Sequence, residues 1–299
     1  MEIPSESMVG KICMITGATS GIGKEAAFQL ARRGATLVLV GRNQWKCEKT
    51  VQEINEQTGN SSVEYLLADL SYQAHIRDLA QQFKSRHQRL HVLLNNAGAI
   101  VLTRQQTGDG IERTFALNHL GYFLLTCLLL DTLKASAPAR IVNVSSDAHR
   151  GAILELDDLQ CQHQYRGFWA YARSKLANIL FTYELARRLE GTGVTVNALH
   201  PGLVATNFLA NNGLLGKFLR VSLAIRGISP QRGADTAVYL ASSPEVEGIT
   251  GQYFEKRQAI PSSQVSYDQD AALALWQASL DLTGLDDITP GVANQPALI

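Results

Sequence analysis

A glycine-rich segment near the start of the chain, residues 12–23, constrains the possible fold more than any other part of the sequence. It opens with a short apolar run, residues 12–15, which has the composition of a buried β-strand. Three glycines follow, Gly17, Gly21 and Gly23, and then a helical pattern begins. A strand, a glycine-rich turn and a helix in this order place a helix N-terminus where it can bind a phosphate group. The alternative is a tight turn without a ligand, because the spacing differs from the G-x-G-x-x-G of most dinucleotide-binding folds.

Beyond this segment, apolar runs alternate with helical patterns along the chain. The predicted strands are residues 35–40, 63–67, 91–95, 140–144, 194–200 and 251–254. The predicted helices are residues 45–57, 73–87, 110–133, 167–190 and 233–241. Strands that alternate with helices form βαβ units, in which a parallel sheet is covered on both faces. We therefore predict one α/β domain over residues 1–299, a Rossmann-type doubly wound parallel sheet flanked by helices on both faces.

Composition limits the partners and the location of the protein. The chain has 27 basic and 27 acidic residues, and this balance argues against nucleic acid or an anionic membrane as a partner. Residues 1–11 lack the pattern of a signal peptide, and the most apolar stretch, residues 120–133, is too short to span a bilayer. The four cysteines form no C-x-x-C pair, which is typical of free thiols in a reducing compartment. We predict a cytoplasmic protein with no stable membrane insertion and no metal site, in which an apolar helix offers a contact for a homo-oligomer.

A tyrosine and a lysine, Tyr171 and Lys175, lie four residues apart within the predicted helix 167–190. At that spacing two side chains are neighbours on one helix face. A phenol has a reference pKa of ~10 and is a poor base at neutral pH, but a cation beside it stabilises the phenolate and lowers that pKa. Such a tyrosine can exchange a proton with a substrate hydroxyl or carbonyl group. Taken alone, the pair also fits an ordinary surface contact.

Other motifs accompany this pair. Thr16 precedes the glycines, the run Asn-Asn-Ala-Gly covers residues 95–98, Asn118 lies in a predicted helix and Ser146 ends a predicted strand. Together the motifs resemble the short-chain dehydrogenase/reductase family over residues 11–254. Two features are similar to its retinol dehydrogenase-like branch: the motif Tyr-Ala-Arg-Ser-Lys-Leu-Ala-Asn that begins at Tyr171, and the 24 residues between Ser146 and Tyr171, more than in the family's bacterial ketoreductases.

The resemblance implies catalytic roles for four side chains. Tyr171 would be the general acid/base, and Lys175 would lower its pKa and hold the nicotinamide ribose. Ser146 would hydrogen-bond the substrate oxygen and stabilise the charge that develops there. Its neighbour Ser145 is the competing candidate, because side chains alternate along a strand and only one of the two can point into the site. Asn118 would anchor a water that links the lysine to solvent as a proton relay, unless it is a helix-interior asparagine that bonds only to the backbone.

The resemblance also implies a nicotinamide cofactor at the carboxyl ends of the strands. The glycine-rich turn would surround the pyrophosphate, and Asp69 would hydrogen-bond the adenine, cap the next helix, or do both. Residues 96–98 would line the adenosine ribose, and residues 201–206 would pack on the nicotinamide. The implied cofactor-binding residues are Gly17, Thr19, Ser20, Gly21, Ile22, Gly23, Arg42, Asp69, Leu70, Asn96, Ala97, Gly98, Tyr171, Lys175, Pro201, Gly202 and Thr206.

The end of the second predicted strand indicates which cofactor is bound. An acidic residue there bonds the ribose 2′-hydroxyl of NAD, whereas an arginine accommodates the 2′-phosphate of NADP. The chain has Arg42 and no carboxylate at this corner, and Lys46 follows one helical turn later. We therefore predict NADP(H), with an ordinary surface role for Arg42 as the alternative.

These inferences predict an NADP(H)-dependent oxidoreductase that transfers a hydride between nicotinamide and a small alcohol, aldehyde or ketone. Residues 9–145 would form the cofactor half, residues 146–260 the catalytic and substrate-loop half, and residues 261–299 a C-terminal tail with an amphipathic turn or two. The leucine- and phenylalanine-rich loop 206–231 predicts an apolar substrate and a lid that closes over the nicotinamide. The alternatives are a protochlorophyllide-type reductase and a non-catalytic nucleotide-binding regulatory module.

Overall fold

The described part of the chain, residues 7–202 and 229–287 of a computed structural model, contains one eight-stranded sheet. The strands are β1 (Ile12–Thr16), β2 (Thr36–Gly41), β3 (Val63–Leu67), β4 (Val92–Asn95), β5 (Ala139–Val144), β6 (Val194–His200), β7 (Gln252–Glu255) and β8 (Gln258–Ala259). They lie in the order β3-β2-β1-β4-β5-β6-β7-β8, and β7 and β8 are the antiparallel pair. The other pairs in the sheet are parallel, as the alternating pattern predicts.

Helices connect the parallel strands. The α-helices of the described residues are α1 (Gly21–Arg32), α2 (Gln44–Thr58), α3 (Gln73–Arg86), α4 (Arg113–Phe115), α5 (Gly121–Lys134), α6 (Gly167–Arg188), α7 (Pro230–Ser242) and α8 (Gln269–Thr283). A π-helical turn, Ala116–Leu120, joins α4 to α5. Because parallel strands need crossover connections, this regular insertion of helices follows from the sheet topology.

Adjacent residues of β1 face different helical layers. Met14 belongs to an apolar cluster with Phe83 of α3 and Phe123 of α5. Cys13 and Ile15 belong to a second cluster, with residues of α1 and α7. All three strand residues are fully buried, so the sheet carries a layer of helices on each face. The predicted single doubly wound α/β domain is confirmed.

The predicted helix over residues 110–133 contains a π-helical turn in the structure. The π-helical turn Ala116–Leu120 replaces a regular α-helical path between α4 and α5. Asn118 lies in this turn, and its side chain bonds both the N–H and the C=O of Ala99. Single π-helical turns are uncommon and occur often at functional sites. The predicted helix is thus present as one helical stretch, Arg113–Lys134, with a π-helical turn inside it where Ala99 of a distant loop bonds Asn118.

The C-terminal region contains more regular structure than the predicted turn or two. Helix α8 has 15 residues, begins at the Asp268 cap, whose carboxylate accepts the Ala271 N–H at 3.0 Å, and ends at a left-handed Gly284. Its Trp276 ring packs 5.0 Å from the Phe123 ring and 6.1 Å from the Phe181 ring, measured between centroids. The helix therefore covers α5 and α6 and is part of the core.

One helical stretch of the described residues, Arg113–Lys134, is long and apolar enough to cross a membrane. Its most apolar 18-residue window is 83% buried within the protein. Packing of α5 against the sheet accounts for this apolar character, since core helices are apolar on more than one face.

Candidate active site

The predicted site residues gather at the carboxyl ends of the central strands. In the order β2-β1-β4-β5-β6, the connection reverses direction between β1 and β4. Open α/β sheets bind ligands in the crevice that such a reversal creates. The glycine-rich turn follows β1, residues 96–98 follow β4, and Ser145 and Ser146 follow β5.

The glycine-rich turn packs tightly against the segment after β4. Gly17 has a positive φ of 67°, and a Cβ atom on it would lie 2.9 Å from the Ala97 Cα. A Cβ on Gly23 would lie 2.6 Å from the Gly17 carbonyl oxygen, closer than real Cβ atoms approach. Glycine is therefore required at Gly17 for conformation and for space, and at Gly23 for space.

Asn96 and Thr16 hold the glycine-rich turn in place. The Thr16 hydroxyl oxygen accepts the backbone N–H groups of Asn96 and Ala97 at 2.8 and 3.0 Å. The Asn96 amide nitrogen in turn donates to the Thr16 carbonyl oxygen at 2.8 Å. The side chain of Asn96, which was predicted to line the adenosine ribose, thus stabilises the glycine-rich turn through its hydrogen bond to the Thr16 backbone.

The first turn of α1 suits a phosphate group. Its cap residue Ser20 makes no side-chain capping hydrogen bond, although the first N–H groups of a helix have no partner within the helix. Gly21 has a positive φ of 56°, which lets the chain enter the helix sharply. An uncapped helix N-terminus beside a glycine cradle fits the pyrophosphate of a dinucleotide.

Arg42 and Asp69 face each other at the ends of β2 and β3. The guanidinium nitrogen lies 3.8 Å from the carboxylate oxygen, and the Arg42 side chain is 51% exposed. The Asp69 carboxylate also accepts the Ser71 backbone N–H and hydroxyl at 3.0 and 2.7 Å. Asp69 does not cap the next helix, because the cap position of α3 is Tyr72 and the Gln73 N–H donates to Asp109.

The remaining residues predicted at this end differ in their exposure. Leu70 is buried, with 4% of its surface exposed. Thr19 packs over Gly41, where an added Cβ would lie 2.9 Å from its methyl carbon, and Lys46 is exposed. An exposed Lys46 near Arg42 leaves a positive corner that solvent and an anionic group can reach.

Helix α6 brings Tyr171 and Lys175 to the end of β5. Lys175 is 3% exposed, and its Nζ donates to the Val144 carbonyl oxygen at 2.8 Å. The same Nζ lies 5.7 Å from the centroid of the Tyr171 ring. Burial lowers the pKa of Lys175 to about 7, because removal from water disfavours the charged form.

The acidity of Tyr171 differs from the sequence-based expectation. Burial raises the pKa of its phenol, and a hydrogen bond from the Ser146 hydroxyl opposes that rise. The neighbouring lysine was expected to lower this pKa. In the protein alone the effect of burial on the Tyr171 pKa is the largest. The pKa of Lys175 is itself lowered to about 7, and its Nζ donates to the Val144 carbonyl oxygen.

Ser145 and Ser146 point to opposite sides, as strand alternation requires. The Ser145 hydroxyl is buried and donates to the Lys175 carbonyl oxygen at 2.7 Å. This hydrogen bond joins the end of β5 to α6, whereas the Ser146 hydroxyl hydrogen-bonds the Tyr171 phenol. This arrangement agrees with the assignment of Ser146, rather than Ser145, to the substrate oxygen.

Asn118 lies close to Lys175 behind the segment after β4. A Cβ on Gly98 would lie 3.2 Å from the Asn118 Oδ1 and 3.5 Å from the Lys175 Nζ. The Asn118 amide nitrogen donates to the Ala99 carbonyl and to the Ser174 hydroxyl, both at 3.0 Å. Asn118 therefore connects the π-helical turn, the segment after β4 and helix α6 beside the lysine. A helix-interior asparagine that bonds only its own helix backbone would make no such connection.

Two residues near the site escaped the sequence analysis. Tyr122 is fully buried, and its ring centroid lies 5.5 Å from the Lys175 Nζ. The sequence feature that could have indicated it is its four-residue spacing from Asn118. His149 is fully buried and bonds the carbonyl oxygen of Ser146; its signal was a histidine three residues after the candidate serine.

The segment that was predicted to pack on the nicotinamide begins directly after β6. Pro201 and Gly202 follow β6 and are half-buried, and Gly202 has a positive φ of 84°. Thr206 and residues 206–228 of the predicted lid lie outside the described residues.

The chain is similar to proteins of known family. A family model for short chain dehydrogenase matches residues 11–214. The chain is 44% identical to Retinol dehydrogenase 12 of Mus musculus over 92% of this chain and 87% of the relative. It is 43% identical to Polyprenol dehydrogenase of Homo sapiens over 93% of this chain and 87% of the relative. Among solved structures, the RhlG/NADP active-site complex of Pseudomonas aeruginosa matches with a TM-score of 0.69 and 27% identity, over 89% of this chain and 100% of that one.

Proposed function

Because the chain belongs to the short chain dehydrogenase family, we propose that it is an NADP(H)-dependent oxidoreductase that transfers a hydride between nicotinamide and an alcohol or carbonyl group. One observation carries the proposal: Ser146, Tyr171 and Lys175 converge at the carboxyl end of β5. The glycine cradle and the uncapped start of α1 fit the pyrophosphate of the cofactor.

The side chains of the site divide the chemistry among them. The bound nicotinamide supplies or accepts the hydride. Tyr171 gives its phenolic proton to the carbonyl oxygen during reduction and takes it back from the hydroxyl during oxidation. Ser146 donates a hydrogen bond to the same oxygen and stabilises its developing charge. Lys175 binds the nicotinamide ribose and supports the phenolate, and Asn118 holds the water that connects the lysine to solvent.

The choice of NADP(H) is supported by the positive corner at the end of β2. Arg42 lies there half-exposed, where an arginine accommodates a 2′-phosphate. The structurally similar protein from Pseudomonas aeruginosa is described as a complex with NADP.

We expect Arg42→Ala to weaken NADPH binding about tenfold or more and to leave NADH binding nearly unchanged. The variant removes a charge-assisted contact that forms only with the 2′-phosphate. Fluorescence titration of both cofactors measures this. Arg86→Ala is the matched control, because Arg86 pairs with Glu64 at the start of β3, the other end of the sheet. Equal losses for both cofactors, or a wild-type preference for NADH, would contradict the NADP(H) assignment.

An apolar substrate is supported by exposed apolar side chains in the helix that carries Tyr171 and in the segment before it. Ile153, Leu156, Phe168 and Trp169 are all exposed, although each is large and apolar. The last two lie in the first turn of α6, within three residues of Tyr171. The relatives are named for retinol and polyprenol, and we propose a substrate of similar apolar character for this chain.

The direct test follows NADPH absorbance with a panel of aldehydes and ketones of increasing chain length. We expect turnover that improves with apolar length. A protein that binds NADPH but turns over no panel member would favour the non-catalytic nucleotide-binding module. Activity on a protochlorophyllide analogue alone would favour the tetrapyrrole reductase.

We also propose a cytoplasmic location without stable membrane insertion. The four cysteines are free and buried, as suits a reducing compartment. The charge of the chain is balanced, so it offers no general attraction to anionic lipid. Recovery of the protein in the membrane fraction after carbonate extraction would contradict this proposal.

A further inference from the structure

His149 connects the candidate catalytic serine to the C-terminal part of the chain. It lies in the short 3-10 turn Asp147–Gly151, directly after Ser146, and none of its surface is exposed. Its Nδ1 lies 2.7 Å from the Ser146 carbonyl oxygen. Its Nε2 lies 3.0 Å from the backbone nitrogen of Ser263, on the far side of the ring.

These two contacts fix the tautomer of the imidazole. A backbone N–H only donates, so Nε2 must accept the hydrogen bond from Ser263. The ring proton of a neutral His149 is therefore on Nδ1 and is donated to the Ser146 carbonyl. Burial lowers the pKa of His149, which keeps the ring neutral at pH 7. The side chain is thus committed to one orientation and one bonding pattern.

The surroundings hold the imidazole rigidly. Its ring packs edge-on against Tyr253 of β7, with centroids 5.0 Å apart. The Ser263 segment is itself anchored, because the Ser262 N–H donates to the Tyr267 hydroxyl at 3.1 Å. Arg150 adds a hydrogen bond of 2.9 Å to the Pro261 carbonyl oxygen. The ring is therefore a fixed point against which the chain at Ser146 is placed.

The direction of the Ser146 hydroxyl depends on how the backbone at Ser146 is held. Its oxygen accepts the Ala148 N–H at 3.3 Å, so its proton is directed towards the Tyr171 phenol that it hydrogen-bonds. On the other side of the peptide, the Asp147 N–H donates to the His200 Nδ1 at 3.1 Å. Both the carbonyl and the next N–H of the serine's peptide are thus held by histidine rings.

We infer that His149 is a positioning residue: its Nδ1–H holds the Ser146 carbonyl and so sets the direction in which the serine hydroxyl donates to the substrate oxygen. The inference rests on the proposed function, because it assigns Ser146 to the substrate oxygen. A misplacement of about 1 Å at a reacting group can cost 10²-fold in rate, so loss of this bond lowers kcat.

Two amide variants separate the two bonds of the ring. In His149→Asn, the amide nitrogen lies near the position of Nδ1 and still donates to Ser146. In His149→Gln, the amide oxygen reaches the position of Nε2 and still accepts from Ser263, while the bond to Ser146 is lost. We expect His149→Asn to keep kcat within about threefold and His149→Gln to lower it about tenfold or more. We expect little change in KM or in NADPH affinity for either variant.

The control is the same pair of substitutions at His91. Its Nδ1 accepts the Ile12 N–H at 3.0 Å at the amino end of β1, far from the site. We expect His91→Asn and His91→Gln to lower the melting temperature without lowering kcat. A His149→Gln enzyme with wild-type kcat, or equal losses of kcat in both His149 variants, would overturn the positioning role. A wild-type protein that turns over no substrate would instead overturn the proposed function, and this role with it.

Discussion

Tyr171→Phe is expected to lower kcat by ~10²–10⁴-fold and to leave the fold and the NADPH affinity nearly intact. The substitution removes only the phenolic oxygen, which is the group that exchanges a proton with the substrate. The ring remains, and with it the contact to the Lys175 Nζ 5.7 Å from its centroid. Single-turnover kinetics at saturating NADPH measure the chemical step directly.

Tyr239→Phe provides the matched control for Tyr171→Phe. Tyr239 lies in α7, and the Arg257 guanidinium lies 5.8 Å from the centroid of its ring. Phenylalanine preserves that ring contact, so kcat should stay at its wild-type value. Turnover of the Tyr171→Phe enzyme within a few-fold of wild type would refute the assignment of the acid/base.

Lys175→Met is expected to reduce kcat by at least ~10²-fold and yet to make the protein more stable in mildly acidic solution. The loss of activity follows because the variant removes the cation that supports the Tyr171 phenolate. The gain in stability follows from burial, which lowers the pKa of Lys175 in the folded protein from its ordinary value of 10.5 to about 7.

The sign of this stability change depends on pH. Below pH 7 the lysine is protonated in both the folded and the unfolded state, so the folded state bears the full cost of a buried ammonium group. Between about pH 7 and 10.5 the unfolded state binds more protons, and the stability of the wild type therefore rises with pH. Above about pH 10.5 the lysine is neutral in both states and the cost disappears.

Urea unfolding at pH 6 and at pH 10.5 tests the prediction for Lys175→Met. The variant should exceed the wild type by a few kcal/mol at pH 6, reduced by about 1 kcal/mol for the lost hydrogen bond to Val144. The difference should be near zero or reversed at pH 10.5. A variant that is less stable than the wild type at pH 6 would mean that the buried ammonium is well compensated.

Local patterns predicted the central strands well because β1, β2 and β4 are buried on both faces. The predicted strands agree with β1 to β7 within one or two residues at their ends, as at β6 (Val194–His200), whereas the short edge strand β8 was not predicted. Strand alternation also predicted that only one of Ser145 and Ser146 points into the site, and the resemblance to the family's motif indicated Ser146. The features that decide these cases lie within a few residues of each other in the sequence.

Features that depend on distant contacts were missed. The π-helical turn at Asn118 exists because Ala99 and Ser174 bond its side chain, and neither is a neighbour in sequence. The acidity of Tyr171 is set by burial, which a Tyr/Lys spacing does not report. Helix α8 is stabilised by the contacts of Trp276 with the aromatic rings of Phe123 and Phe181, both of which lie more than 90 residues before Trp276.

The position of α8 also determines when a newly made chain can finish folding. Trp276 completes an aromatic cluster begun by Phe123, and the His119 Nε2 lies 3.0 Å from the Ser279 hydroxyl. The Gln73 amide donates to the Leu282 carbonyl oxygen at 2.7 Å. A ribosome that has made residues 1–260 has therefore supplied all eight strands of the described sheet, and the nascent chain still has an uncovered apolar face. Early termination in that region would leave this face to chaperones and proteases, even though every predicted catalytic side chain had already been made.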